Sequence, residues 1–292
     1  MLSAIHDKPY TFAMSSSATD RHLQTATYHP DPPSNRECFI LPAMTPTIRP
    51  PTIKPVQLDE QLRCDGFALL DGADVTAWLD AEPEDLARLH AAWSDLPPDP
   101  HLRDGGRYRY RRHGSFIVEH GKIVPVSHRP HWQSLDYNAL HGGMMRRFEP
   151  IAASTLAQPV WQRLLLRLAE VATRLRGEQR WFVEAHPFRI DTADGIGRPT
   201  PEGAHRDGVD LVAVLVLERH EIKGGETRIF AADKPWGQRF TLETPWSLML
   251  LDDARMIHET TPIQPQDADQ PGWRDTLVLT CRQGGFQGPE AD

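Results

Sequence analysis

The sequence is poor in cysteine: Cys38, Cys64 and Cys281 are the only three in 292 residues, widely spaced and without a Cys-x-x-Cys pair. That rules out a disulfide framework and predicts a reducing, cytoplasmic setting. Long apolar runs are missing too, none approaching the ~18 residues of a membrane span, so no membrane partner is expected. The N-terminus has no basic start followed by an apolar stretch, and no secretory leader is expected. Positive charge is short as well. A formal net charge of −8 argues against a broad basic surface for nucleic acid and leaves small molecules as the expected partners.

What is present is ordinary for a globular chain, 39% apolar and 25% charged, and the length permits one large domain with a sizeable core. Residues 1–55, with "HPDPPSN" and "LPAMTPTIRPPTIKP", have the Pro, Thr and Ser content of a flexible arm, so the domain is expected to occupy 56–292. Two helices stand out. "EPEDLARLHAAWSDL" carries Pro83 and acidic residues at its start, and "QPVWQRLLLRLAEVATRLRGEQ" puts Val160, Leu164, Leu168, Val171 and Leu175 on one face between Pro159 and Gly177. Beyond Gly177 the pattern turns to short strands between Gly, Pro and Asp turns: "WFVEAHPFRI", "LVAVLVLE", "ETRIFAA", "QRFTL", "SLMLLDD" and "TLVLTCR". The expected fold is mainly β with flanking helices, a sandwich or barrel.

Chemistry concentrates in this strand region. In "EGAHRDGVDLVAVLVL" His205 and Asp207 stand two residues apart before an apolar run, and on an extended strand they project from the same face. Among 14 histidines such a pair alone is weak, since His-x-Asp is also an ordinary turn. "SLMLLDDARMIHETTPI" offers His258 as a third ligand. Two histidines and one carboxylate make the facial triad that binds Fe(II) and leaves positions open for oxygen ligands and O2. In "GWRDTLVLTCR", Arg274 and Thr276 share a strand face, a guanidinium fork and a hydroxyl suited to the distal carboxylate of a dicarboxylate such as 2-oxoglutarate.

These residues resemble the bacterial Fe(II)/2-oxoglutarate dioxygenases that hydroxylate free L-amino acids, the L-isoleucine dioxygenase type. The resemblance runs over about residues 60–285 through "GGRYRYRRHGSF", "RRFEPI", "HPFRID", "PTPEGAHRDGVDLV", "IKGGETRIF", "SLMLLDDARMIHETTPI" and "WRDTLVLTCR". It implies a double-stranded β-helix (a jelly roll, cupin-like), Fe(II) on His205, Asp207 and His258, and 2-oxoglutarate on Arg274, with Thr276 in the second clamp position. It also implies that O2 and 2-oxoglutarate are converted to succinate and CO2 as an amino-acid-like substrate is hydroxylated. For that substrate the expected contacts are Arg107 and Arg109 on the alternating "RYRYRR" segment, and Arg189 in "HPFRID". Two other readings stay open: a non-catalytic jelly roll binding a metal or small ligand, and a zinc hydrolase, which would leave Arg274 and Thr276 without a role. Within the dioxygenases, a modified or carrier-bound amino acid or a peptide is the rival substrate.

Overall fold

The computed structural model describes residues 50–289 except Pro125. The expected arm therefore lies, up to residue 49, outside the described residues, as does Cys38. At its end the chain is already tied down: Ile53 N–H donates to Leu69 O at 2.8 Å, and Lys54 pairs with Asp74 at 2.9 Å.

The elements follow the hydrophobic periodicity. First come α1 (Leu58–Asp65), β1 (Phe67–Leu70), α2 (Gly72–Trp78) and α3 (Pro83–His90), then β2 (Arg109–Arg111), β3 (Gly114–Glu119) and β4 (Lys122–Val124). After α4 (Ala153–Leu156) and the long α5 (Pro159–Arg176) the chain is all strand: β5 (Trp181–Asp191), β6 (Leu211–His220), β7 (Ile222–Gly224), β8 (Thr227–Ala231), β9 (Gly237–Phe240), β10 (Ser247–Asp252), β11 (Met256–Thr260), β12 (Ile263–Pro265) and β13 (Trp273–Arg282). Eight strands form the major antiparallel sheet, in the order β1-β10-β6-β13-β5-β3-β4 with β2 also on β5. Facing it are the three-stranded sheet β11-β8-β9 and the β12-β7 pair. Two opposed antiparallel sheets of this kind are the jelly roll, and the expectation of a mainly β chain with flanking helices holds.

Strand alternation divides β6 between two cores. Leu211, Ala213, Leu215 and Leu217 face the helices and pack with Trp161, Leu164 and Leu168 of α5. Val212, Val214 and Val216 face the small sheet, packing with Ile229, Phe240 and Met249. Helix α5 is amphipathic, as its period predicts, and seals the outer face. The inner face is thereby left to the space between the sheets, where polar groups line a cavity. No helix among the described residues is long and apolar enough to cross a membrane.

Leu164 is fully buried between helix and sheet. Leu164→Ala removes its contacts and leaves a void, so it is expected to lower unfolding stability by about 2–5 kcal/mol in urea titrations without moving the inner-face cavity.

Candidate metal centre and active site

His205 and Asp207 do not lie on a strand. The segment ahead of β6 is irregular and holds only isolated bridges, Gly197 to Ile263 and His205 to His258, the latter pair's backbones exchanging N–H···O bonds of 3.0 and 2.9 Å. The strand-alternation argument for the pair is corrected on this point. Their convergence is set by the bridge to β11 and by Asp253, whose carboxylate accepts the backbone N–H groups of Asp207, Gly208 and Val209 at 2.9, 2.7 and 3.0 Å. Gly208 takes φ +76°, and a Cβ there would stand 2.5 Å from the Tyr137 ring, so only glycine fits the turn.

The three side chains meet. His205 Nε2 lies 3.9 Å from Asp207 Oδ1, His258 Nε2 lies 3.9 Å from Asp207 Oδ2, and the imidazole centroids are 4.6 Å apart. An ion with bonds of about 2.0–2.2 Å can span donors up to roughly 4.3 Å apart, so these separations fit one metal. The His205 tautomer fits as well: Nδ1 is 2.9 Å from Gly203 O, an acceptor only, so Nδ1 carries the proton and Nε2 keeps its lone pair for the ion. His258 stays neutral because burial, reinforced by His205, drives its pKa far down. Burial pushes the Asp253 carboxyl up to about 7, with the Asp207 charge adding to the rise and the three N–H bonds opposing it.

A cavity of about 110 Å³ opens on the triad. Its walls come from the inner-face rows: Glu184, His186 and Phe188 of β5, Arg109 and Arg111 of β2, and Val278 and Thr280 of β13. Cross-strand register explains the grouping, since Arg111 stands opposite Phe188, and Glu184 opposite Thr280. The loop between β4 and α4 adds Gln133, Asn138 and Arg146. Gln133 Nε2 donates to Asp207 Oδ1 at 3.1 Å while its Oε1 accepts Arg146 Nη2 at 2.7 Å, so the amide holds the carboxylate in place.

The expected clamp and substrate residues fare differently. Arg274 shares the strand face of Val278 and Thr280 at the far end of the row; it is 4% exposed, and its Nε has no partner. Burial and the nearby Arg219 push its pKa down to about 9, the mark of a cation without a counter-ion among the described residues. Thr276, buried on the same face, lies between. Arg109 lines the cavity, its charge met by Asp99 at 2.7 Å. Arg107 and Arg189 do not reach it. Arg107 precedes the strand and pairs with Asp194 on the surface, its side chain 83% exposed. Arg189 is on the outer face, forked on Asp275 through two 2.7 Å bonds, with His90 on the same carboxylate at 2.8 Å. Also lining the cavity are Arg111, on the "RYRYRR" segment singled out in the sequence, and Gln133, Arg146, Glu184, His186 and Glu202. For Glu184 and His186 the alternation of β5 was a usable signal. For Gln133 and Arg146, on an irregular loop, none existed.

His113, His131, Glu184 and His186 form a second buried group of possible ligands. Arg111 Nη2 donates to His186 Nδ1 at 2.6 Å, which forces the ring proton onto Nε2 and removes that ring as a ligand. Glu184 accepts from His113 at 3.0 Å and faces Arg129 at 3.7 Å. Burial opposes its ionisation, but His131 and His113 outweigh burial and hold its pKa low. The group is a buried polar wall beside the triad, tied together through Glu184, with His113 Nδ1 and His131 Nδ1 left without hydrogen-bond partners among the described residues.

The family model for 2OG-Fe dioxygenase matches residues 90–280. The chain belongs to that family. This 2OG-Fe dioxygenase is 49% identical to a bsmA homolog from Methylobium petroleophilum PM1, over 82% of this chain and 97% of that one, with a TM-score of 0.77. At 18% identity it shares the fold of IDO from Bacillus thuringiensis (TM-score 0.65, 80% and 99% covered) and of the Fe(II)/α-ketoglutarate-dependent dioxygenase TqaL (TM-score 0.60, 80% and 90% covered). No curated protein sequence matches. The double-stranded β-helix, the use of Fe(II) and 2-oxoglutarate and the oxygenase class follow from the family.

Two outcomes are expected. His205→Ala, Asp207→Ala and His258→Ala each abolish stoichiometric Fe(II) or Co(II) binding while circular dichroism stays native; wild-type metal content in any of them would remove that residue from the ligand set. Acid stability should also decline in a defined window. Burial pushes the His131 pKa down to about 4, so the unfolded chain takes up the proton first. Its contribution is complete above about pH 6.5 and is lost as the pH falls toward 4, with a slope of up to ~1.4 kcal/mol per pH unit. Urea unfolding between pH 7 and 4 measures the slope, which His131→Gln should flatten.

Proposed function

We propose that this 2OG-Fe dioxygenase hydroxylates an aliphatic C–H bond of a free L-amino acid or a close derivative. The supporting observation is that the cavity at the triad carries uncommitted groups of both charges. Arg111 and Arg146 are 3% and 2% exposed, give their side-chain hydrogen bonds to His186 and Gln133, and each keep a buried Nε without a partner. Glu202, whose Oε1 is 3.6 Å from His205 Nε2, has a buried Oε2 with no partner. Unpaired buried charges are unfavourable until a ligand of opposite charge arrives. A zwitterion answers both, its carboxylate toward the guanidiniums and its ammonium toward Glu202.

In this reading His205, Asp207 and His258 hold Fe(II), and Arg274 with Thr276 takes the distal carboxylate of 2-oxoglutarate. Bound together, metal and co-substrate supply oxidative decarboxylation to succinate and CO2 and the oxidant for the substrate C–H bond. The chain's share is positional. Gln133 fixes the Asp207 carboxylate, and the Arg111 guanidinium lies against Phe148 and Phe188 at 3.8 and 4.3 Å, so both groups are held in place before substrate arrives. We place the protein in the cytoplasm on its scarcity of cysteine.

Succinate release measured across proteinogenic and noncanonical amino acids tests the substrate class. Free aliphatic amino acids are expected to stimulate it and N-acetylated ones to fail. Arg111→Met and Glu202→Gln should each raise KM at least ~10-fold with metal binding intact. Stimulation by acylated or carrier-linked amino acids alone would transfer the assignment to the rival substrate class.

A further inference from the structure

The "GGE" turn of "IKGGETRIF" has no part in the site described so far, and Arg219 shows what it does. Strand β6 pairs with β13 in regular register from Cys281↔Leu211 to Thr276↔Val216, and then slips: Asp275 stands opposite Glu218, and Arg274 opposite Arg219. Leu217 is the extra residue of a β-bulge. Without it the partner of Arg274 would be Glu218, and the two would neutralise each other on the inner face. With it Glu218 turns outward, where Trp273 Nε1 donates to its carboxylate at 3.0 Å, and a second guanidinium takes the inner position.

That guanidinium is held. Arg219 Nη2 donates to Gly224 O at 2.7 Å, and the next residue, Gly225, lies so close that a Cβ there would be 2.8 Å from Arg219 Nη1. Nη1 is buried with no partner, as is Arg274 Nε. Burial lowers the Arg219 pKa against a weaker pull from the carboxylate of Glu243. Two cations fixed side by side on one face, each with an unsatisfied buried N–H, repel one another in ligand-free protein. A carboxylate between them would satisfy both.

We propose that Arg219 is a second anchor for the distal carboxylate of 2-oxoglutarate, brought opposite Arg274 by the bulge at Leu217 and seated by the Gly224–Gly225 turn. This rests on the reading of Arg274 as the first anchor. Two guanidiniums on one carboxylate select 2-oxo dicarboxylates over 2-oxo acids that lack the second carboxylate.

Binding to the full chain loaded with Mn(II), which supports no turnover, tests this calorimetrically with 2-oxoglutarate and pyruvate as probes. Arg219→Gln is expected to weaken 2-oxoglutarate at least ~10-fold and pyruvate less than about 2-fold, with Arg219→Lys between. Ligand-free Arg219→Gln should melt no lower than wild type, because it removes a repulsion. If Arg274→Gln weakens 2-oxoglutarate and neither Arg219 variant does, the second anchor is overturned and the first stands. If Arg274→Gln too binds as wild type, the clamp reading itself falls. Loss of thermal stability in the Arg219 variants with unchanged 2-oxoglutarate affinity would make Arg219 a fold residue and overturn the proposal.

Discussion

The carboxylate of Asp253 carries more of this site than any residue within it. It accepts three consecutive backbone N–H groups, Asp207 to Val209, and so gives an irregular segment the fixed geometry that a strand would otherwise provide. Asp253 directly follows β10, a central strand whose six residues are all buried. The rigidity of the major sheet thus reaches the metal loop through one side chain. The His205–His258 bridge fixes the loop's other end to the small sheet. Both sheets must be in place before the triad converges, so the candidate metal centre is a product of the tertiary fold and not a local motif.

The same inner face is a concentration of unfavourable terms. Arg111, Arg146, Arg274 and Glu202 have buried atoms without partners, and Asp253 and Asp207 sit within reach of each other's fields. Such groups lower stability unless ligands meet them. The outer face offsets them: Trp161, Leu164, Leu168 and Val171 of α5 close over an apolar sheet surface. Stability and chemistry are separated onto opposite faces of the same strands by the two-residue period. Beneath α5, polar residues therefore accumulate on the inner face without opening the outer one.

Where the sequence was legible, that period was the reason. The apolar runs of β6, β10 and β13 and the amphipathic α5 can be read from spacing; His205, Asp207, His258 and Arg274 stand out by residue type, while the strand expected under His205 and Asp207 does not form. Legibility failed where the period breaks. Arg189 looked like an inward residue because it neighbours the metal region, but it is odd in a row whose even members, Glu184, His186 and Phe188, line the cavity. Arg107 was counted into an alternation that starts two residues later, at Arg109. Gln133 and Arg146 come from a loop with no period at all, and only the folded chain brings them to Asp207.

The bulge at Leu217 is the sharpest case of such a break. One extra residue exchanges Glu218 for Arg219 on the inner face, and with it the sign of the charge beside Arg274. An unbroken ladder would have given Arg274 an internal counter-ion and a more stable sheet. Instead the arrangement forgoes that pairing, sends the acid outward to Trp273, and leaves each of the two guanidiniums with a buried nitrogen that no group among the described residues satisfies. A fold gains nothing from such a choice in the ligand-free state. It becomes intelligible when the missing negative charge is one that the protein binds.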